Sequence, residues 1–244
     1  MARAIFKSWF VDFDPVRAKM EGRDPGLPKE IADLFPDAFE ELGEVPRGWA
    51  VRQLDQIASF LNGLALQKYP PTGEGDLPVI KIAELRQGHS QGCDWANNSV
   101  PEEYLVNDGD VLFSWSGSLL VKVWCGGEGA LNQHLFKVTS AAYPKWFYYE
   151  WIKHHLPDFQ AIAADKATTM GHIQRYHLAA ALTVIPDQAV LKRAAALLAP
   201  LLDKFVSNEV QSHTLATLRD ALLPKLISGE IRVKDGEKSV EVAL

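Results

Sequence analysis

The apolar and polar positions along the chain fall into three regimes. In residues 48–185 short apolar runs alternate with turn signals, the pattern of strands mixed with short helices. Trp49–Leu54 and Leu54–Phe60 predict a strand leading into a short helix, and Leu77–Ile82 predicts a buried strand. Asp108-Gly109 marks a turn, and Asp110–Ser116 alternates as a strand. Lys122–Trp124 and Leu135–Val138 predict two more strands, with Gly126, Gly127 and Gly129 read as a hairpin turn between them. Trp146–His155 predicts a helix with a dense aromatic face. Ala180–Ile185 predicts a last strand, closed by Pro186-Asp187. The fold class is mixed α/β (α+β).

Residues 188–223 carry a helical period. Pro200 predicts a break, with a short helix to about Leu198 and a long one that opens with Pro200 in its first turn. Along the long helix Leu201, Phe205, Asn208, Ser212, Leu215, Arg219 and Leu222 recur at alternating spacings of four and three. That is a heptad seam, apolar at both ends and polar in the middle. Such a seam packs a helix on its own domain or pairs it with another helix, and a polar centre suits a pair whose register must be set. The pairing candidates are Phe205, Asn208, Leu215 and Leu222, and the geometry expected is an antiparallel coiled coil. Pro224 and Gly229 end the pattern.

Residues 1–47 read differently. Phe6, Trp9, Phe10 and Phe13 suit a helix end followed by an extended piece, broken at Asp14-Pro15. Pro25, Pro28, Pro36 and Pro46 among many acids predict a surface-hugging linker rather than a core, docked by Phe35 and Phe39. Ala2–Phe6 echoes Leu218–Leu222 when Arg3 is aligned with Arg219. The expected organisation is therefore a leading segment 1–47, a domain at 48–187, helices at 188–233 and a tail at 234–244.

Composition narrows the function classes. Apolar residues make up 47% and charged residues 23% of the 244, an ordinary globular balance that excludes a disordered or collagenous chain. Two cysteines, Cys93 and Cys125, are too few for a disulfide scaffold or a four-cysteine zinc site. A reducing, cytoplasmic setting follows. No apolar run approaches the ~20 residues of a membrane span, and the first residues lack the apolar core of a signal peptide. Net charge is −6, and no segment is strongly basic: −3 for 1–47, −3 for 48–185 and zero for 186–244. Nucleic-acid binding by bulk charge alone is disfavoured.

The motifs of catalysis are missing. No phosphate-cradling glycine motif and no Gly-x-Ser-x-Gly elbow occurs, and no cofactor is expected. Ser116-Gly117-Ser118 resembles a nucleophile loop only superficially. His154-His155 and the five-residue spacing of His172 and His177 do not match a metal-ligand helix, so no metal site is expected. Asp165-Lys166 lacks the residue that a nuclease site needs between acid and lysine, and no Asn/Asp-Pro-Pro-aromatic tetrapeptide of an adenine methyltransferase is found.

Two loops instead carry groups suited to base edges. One holds Ser114, Trp115, Ser116 and Ser118, running on to Lys122; the other holds Thr168, Thr169, His172, Gln174 and Arg175. Arg175 suits bidentate recognition of guanine, and Gln174 or Gln133 suits adenine. Lys68 and Tyr69 follow Gln67 near a proline turn. Lys68, Lys122, Lys166 and Arg175 are candidate phosphate contacts. The plain alternative is that these are ordinary polar loops.

The ends of the chain resemble a known family. Leu215-Ala-Thr-Leu-Arg-Asp-Ala-Leu-Leu-Pro-Lys-Leu-Ile-Ser-Gly-Glu-Ile-Arg-Val233 is similar to the C-terminal conserved region of the specificity subunits of type I restriction–modification systems. Met1-Ala-Arg-Ala-Ile-Phe-Lys-Ser-Trp-Phe-Val-Asp-Phe-Asp-Pro-Val-Arg-Ala-Lys19 resembles the end of their central conserved region. Gly43–Trp49 resembles the entry to a target recognition domain; Asn107–Ser118, Leu131–Val138 and Thr168–Ile173 resemble its body. The resemblance implies two recognition domains, each reading half of a split double-stranded DNA target, separated by two antiparallel helices. It implies methyltransferase subunits that bind S-adenosylmethionine and flip and methylate adenine, and a restriction subunit that joins for cleavage. The specificity chain itself is not an enzyme.

The chain departs from that pattern in having one recognition domain and one complete helix. As a half-subunit it is expected to form a homodimer in which the seam of one copy meets its twin antiparallel, making the target an inverted repeat. The outward face of that helix, with residues 1–14, is expected to contact the methyltransferase. The alternative class is a truncated regulatory or structural chain that dimerises or sequesters methyltransferase subunits without reading DNA. A free-standing enzyme is a third class, which a pocket of strongly perturbed titratable groups would support.

Overall fold

A computed structural model describes residues 1–41, 45–165 and 171–234. Helix α1 (Ala2–Phe6) runs on into a π-helical stretch over Lys7–Val11, followed by α2 (Asp14–Met20) and α3 (Lys29–Ala32). Then come strand β1 (Ala50–Gln53), α4 (Leu54–Ile57), β2 (Ser59–Asn62), β3 (Leu77–Ile80), α5 (Ile82–Gln87) and β4 (Trp95–Ala96). Five strands follow: β5 (Leu105–Val106), β6 (Val111–Ser114), β7 (Val121–Val123), β8 (Gly129–Leu131) and β9 (Leu135–Thr139). The chain ends in α6 (Lys145–Asp165), α7 (Arg175–Ala180), β10 (Leu182–Ile185) and the 40-residue α8 (Gln188–Ile227). This is the mixed α/β fold with a long C-terminal helix that the patterning predicts.

Three layers build the body. The central layer is a sheet in the order β2-β9-β6-β7, antiparallel throughout. Period-two alternation sends Val111, Phe113, Phe136 and Val138 to one face and Leu112 and Leu135 to the other. Both faces are covered, which is why β6 is buried at every position. On the first face Phe60, Phe113 and Phe136 cluster with ring centroids 5.8–6.5 Å apart, and α6 closes over them through Phe159. On the second face Leu112 and Leu135 meet Ile80 and Leu131 of a second sheet layer, together with Trp124, which follows β7. That sheet has the order β4-β3-β8-β5, and β3 and β8 run parallel. A two-stranded ribbon pairs β1 with β10 antiparallel, Ala50 opposite Ile185.

The start of the leading segment, Phe6 to Val16, is part of the core, contrary to the reading of residues 1–47 as outside it, whereas residues 22–41 lie mostly at the surface. Phe6 meets Trp151 edge-on at 5.3 Å, Trp9 meets Phe35 at 5.1 Å, and Phe10 packs between Trp49, Trp146 and Phe147. Large aromatic rings recover enough burial to hold even an acidic, proline-rich segment on the body. The expected extended piece after Phe10 is instead a second helix. Phe13 turns the chain in the left-handed region (φ 57°), held there by ring contacts to Phe39 and Trp49, and Pro15 opens α2. Phe35 is buried and docks as expected.

Three other elements differ from the patterning. Gly129 belongs to β8 rather than to a hairpin turn, and the glycine run links strands of two different sheets. The helix predicted over Trp146–His155 continues through Pro157 to Asp165, because Phe159 and Ala163 are buried under it. Pro200 does not divide α8, and Pro224 lies inside it. The amide that Pro200 lacks costs one bond in a helix of about eleven turns that shares the strain, and Val190, Leu191, Ala194 and Leu198 anchor its first half. Asp187 caps the start by accepting from the Ala189 N–H at 2.9 Å; Gly229 (φ 76°) closes the end. Beyond Leu202 no residue of α8 is fully buried.

Candidate nucleic-acid interface

The two polar loops meet. The Ser116 backbone bridges His172 as an isolated β pair, the Gly117 N–H donates to the Gly171 carbonyl at 2.8 Å, and the Ile173 N–H donates to the Trp115 carbonyl at 2.9 Å. Loop 114–118 leaves the end of β6, and segment 171–175 arrives on it before α7 begins. A Cβ at Gly171 would sit 2.3 Å from the Ala163 carbonyl oxygen, so only glycine lets this segment lie against the end of α6.

The third partner is the turn 132–134 between β8 and β9. The Trp115 indole N–H donates to the Asn62 side chain (2.9 Å) and to the Gln133 carbonyl (3.1 Å). Ser116 Oγ lies 2.9 Å from His134 Nδ1. Trp115 also lies beside His134, Phe136 and His172 at 6.0–6.3 Å. Arg175 donates from Nη2 to the Phe60 carbonyl at 3.2 Å, with its guanidinium 5.6 Å above the Phe136 ring. The structure thus gathers Trp115, His172, Gln174 and Arg175 around one shallow cavity that Asn62 and Ile173 help to line, with Gln133 joined to it through its backbone carbonyl on Trp115.

The remaining candidates divide. Ser114 and Ser116 are buried, and their hydroxyls are held inside the fold. Ser114 Oγ donates to the Ser118 carbonyl at 2.7 Å and accepts from the Leu120 N–H at 2.9 Å. These two serines brace the loop and present nothing to solvent, whereas Ser118 is exposed at its tip. Lys122 stands apart, its amine donating to the Arg86 carbonyl at 2.5 Å beside a cavity shared with α8. Lys68 and Tyr69 lie on the second sheet layer, with Lys68 exposed and Tyr69 packed against Leu66 and Val79. Thr168, Thr169 and Lys166 lie outside the described residues. Sequence reasoning passed over Asn62 and Tyr176; Asn62 ends a strand paired to β9, a long-range neighbour that no local pattern reveals.

Burial lowers the pKa values of His154 and His155 and pushes the Tyr148 and Tyr149 phenols up to about 12. Burial likewise pushes the Cys125 thiol up to about 11. Among the described residues no group of three or more His, Cys, Asp or Glu side chains is placed to hold a metal ion. No helix among them is long and apolar enough to cross a membrane.

The chain is similar to proteins named as specificity subunits of type I restriction enzymes. It is 27% identical over 244 aligned residues to the type I restriction enzyme MjaIX specificity subunit of Methanocaldococcus jannaschii, covering 96% of this chain and 53% of that protein. It is 23% identical over 280 residues to the HindI specificity subunit of Haemophilus influenzae, covering 95% and 61%. The chain therefore spans little more than half the length of these curated relatives. Among solved structures it is similar to the HsdS subunit from Thermoanaerobacter tengcongensis, with a TM-score of 0.41, 17% identity and coverage of 94% and 53%. It is also similar to the type I S subunit from M. genitalium, with a TM-score of 0.46, 16% identity and coverage of 74% and 46%. No protein-family model matches the chain.

Proposed function

We propose that the chain is a non-catalytic sequence-recognition module of a type I restriction–modification complex. It reads one half of a bipartite double-stranded DNA target and docks the methyltransferase subunit, with the restriction subunit joining for cleavage. The observation that carries this reading is similarity along nearly the whole chain to proteins named as specificity subunits. The patch of Trp115, Gln133, His172, Gln174 and Arg175 supports it, because amides, an imidazole and a guanidinium clustered on one edge match the donor and acceptor pattern of the major groove. The recognition domain is assigned to 48–187, between the leading segment and α8. Its work is done in the cytoplasm, where the DNA is.

The reading includes self-pairing through α8. Phe205 is 45% and Leu215 41% exposed on a helix with no fully buried residue in its second half. An antiparallel alignment that sets Phe205 opposite Leu222 of a second copy also sets Leu201 opposite Leu226. It sets Asn208 opposite Arg219, a polar pair, and Ser212 opposite Leu215 at the centre. The contact is isologous, and the paired half-targets form an inverted repeat.

Co-expression with the methyltransferase subunit and mapping of adenine methylation across the host genome tests both parts. A split palindromic motif is the expected result. An asymmetric motif overturns self-pairing and leaves half-target reading in place. Absence of methylation with both proteins soluble overturns the reading in favour of a chain that holds methyltransferase without reading DNA.

A further inference from the structure

We propose that the cleft beside Trp95 is a second DNA-contact surface and that Trp95 sets base preference there. The inference rests on the DNA-reading function proposed above and adds to it a surface on the second sheet layer.

The cleft holds about 930 Å³ between the turn after β2 and the β3–β4 edge. Gln67, Pro70, Lys81, Asp94, Trp95 and Asn132 are among its lining residues. Strand β4 is only two residues long and pairs with Leu77 and Pro78 of β3. Its Ala96 is fully buried, so alternation turns Trp95 to the opposite side, where it is 53% exposed. Five of the other six tryptophans are buried and Trp115 is half-buried. The Trp95 side chain makes no hydrogen bond and no ring contact among the described residues. A large exposed indole with no packing role, set in a concavity, is the kind of surface that marks a contact site.

The Lys81 amine pairs with the Asp94 carboxylate. Asp76 accepts from the Thr72 and Gly73 N–H groups at 3.0 and 2.7 Å and from the Thr72 hydroxyl at 3.1 Å, bonds that favour its charged form. The lining therefore keeps the negative charge of Asp76, which repels a phosphate; its amphipathic remainder suits a base edge, a thymine methyl or a deoxyribose.

The cleft is also continuous with the first patch. Asn132 lines it, and Asn132 Nδ2 donates to the Gln133 side-chain oxygen at 2.8 Å. The carbonyl of the same Gln133 accepts from the Trp115 indole. Cleft and patch are thus the two flanks of one turn, so a duplex laid along the patch meets the cleft a few base pairs further on. There the indole face covers an apolar edge, and its N–H donates to a base acceptor.

Selection from a random duplex pool by the wild-type chain with its methyltransferase subunit, repeated with Trp95→Ala and Trp95→Phe, tests the inference. Trp95→Ala is expected to lose preference at one or two adjacent positions and to bind the wild-type motif on the order of tenfold more weakly. Its salt dependence stays unchanged, because no phosphate contact is removed, and its thermal unfolding midpoint stays at the wild-type value. Trp95→Phe recovers most of the preference. If Trp95→Ala selects the same motif with the same affinity, the inference is overturned and the DNA-reading function stands. Uniform weakening on all sequences with a shallower salt slope also overturns it, since Trp95 would then serve the backbone. A wild-type chain that enriches no motif overturns the DNA-reading function and the inference with it.

Discussion

His155 shows at the scale of one residue how burial sets a protonation state. Its Nε2 lies 2.9 Å from the Leu182 carbonyl and donates to it, and its ring stacks on Trp151 at 5.9 Å. Desolvation holds its pKa below the ordinary 6.5; His154 reinforces the shift, while the Leu182 bond and Asp158 oppose it. Between the folded value and 6.5 the unfolded chain binds more protons than the folded one, so stability falls as pH falls through that window. His155→Gln should therefore flatten the loss of thermal midpoint between pH 7 and pH 5, read by calorimetry; a slope identical to wild type would remove His155 as its source. Arg175 makes the corresponding case for recognition. Arg175→Ala should relax preference at one base pair by about 1–3 kcal/mol in binding titrations, whereas equal weakening on random DNA would make it a phosphate contact.

Elements are held together at points where backbone meets backbone. Leu64 bridges Asn132, and a Cβ on Gly63 would sit 2.2 Å from the Asn132 carbonyl oxygen. Gly63→Ala should cost about 1–3 kcal/mol, seen as a lower urea midpoint, because neither backbone can yield without breaking the bridge. It should also disturb base preference, since turn 132–134 carries Gln133. Helix α8 presents the opposite situation, an element with too few contacts along its second half. Leu215→Asp should shift sedimentation from dimer to monomer at micromolar concentration while leaving the thermal midpoint of the body near wild type. A wild-type chain that stays monomeric, alone and with the methyltransferase subunit, would remove the pairing.

For the whole molecule, the layers follow from how many faces each element must bury. Sheet β2-β9-β6-β7 is covered on both sides, and β6, β7 and β9 read in sequence as apolar runs with turn signals such as Asp108-Gly109, whereas β2 falls partly within the helix read over Leu54–Phe60. The first three were legible because period and turn chemistry are local. The leading segment was not: its acids and prolines signal a linker, and its core role comes from Phe6 on Trp151, Phe10 on Trp49 and Trp146, and Trp9 on Phe35. Strand β8 escaped notice because Gly129 is a turn residue by propensity. Here it admits the Ile80 side chain, which a Cβ at this position would meet at 2.7 Å. Tertiary packing overrides a weak local preference in each case.

The candidate site divides along the same line. The chemistry of Trp115, Gln133, His172, Gln174 and Arg175 is written in the sequence, as is the heptad seam of α8, because residue type and spacing need no partner to be read. The membership of one patch depends on the Ser116–His172 bridge and the bond from Trp115 to Gln133, which join residues far apart in the chain. Burial separated Ser114 and Ser116 from their loop neighbours, and it left Trp95 facing solvent. Local pattern determined the elements and the chemical alphabet. Long-range packing decided which letters face outward together, because exposure is a property of neighbours that only the folded chain brings near.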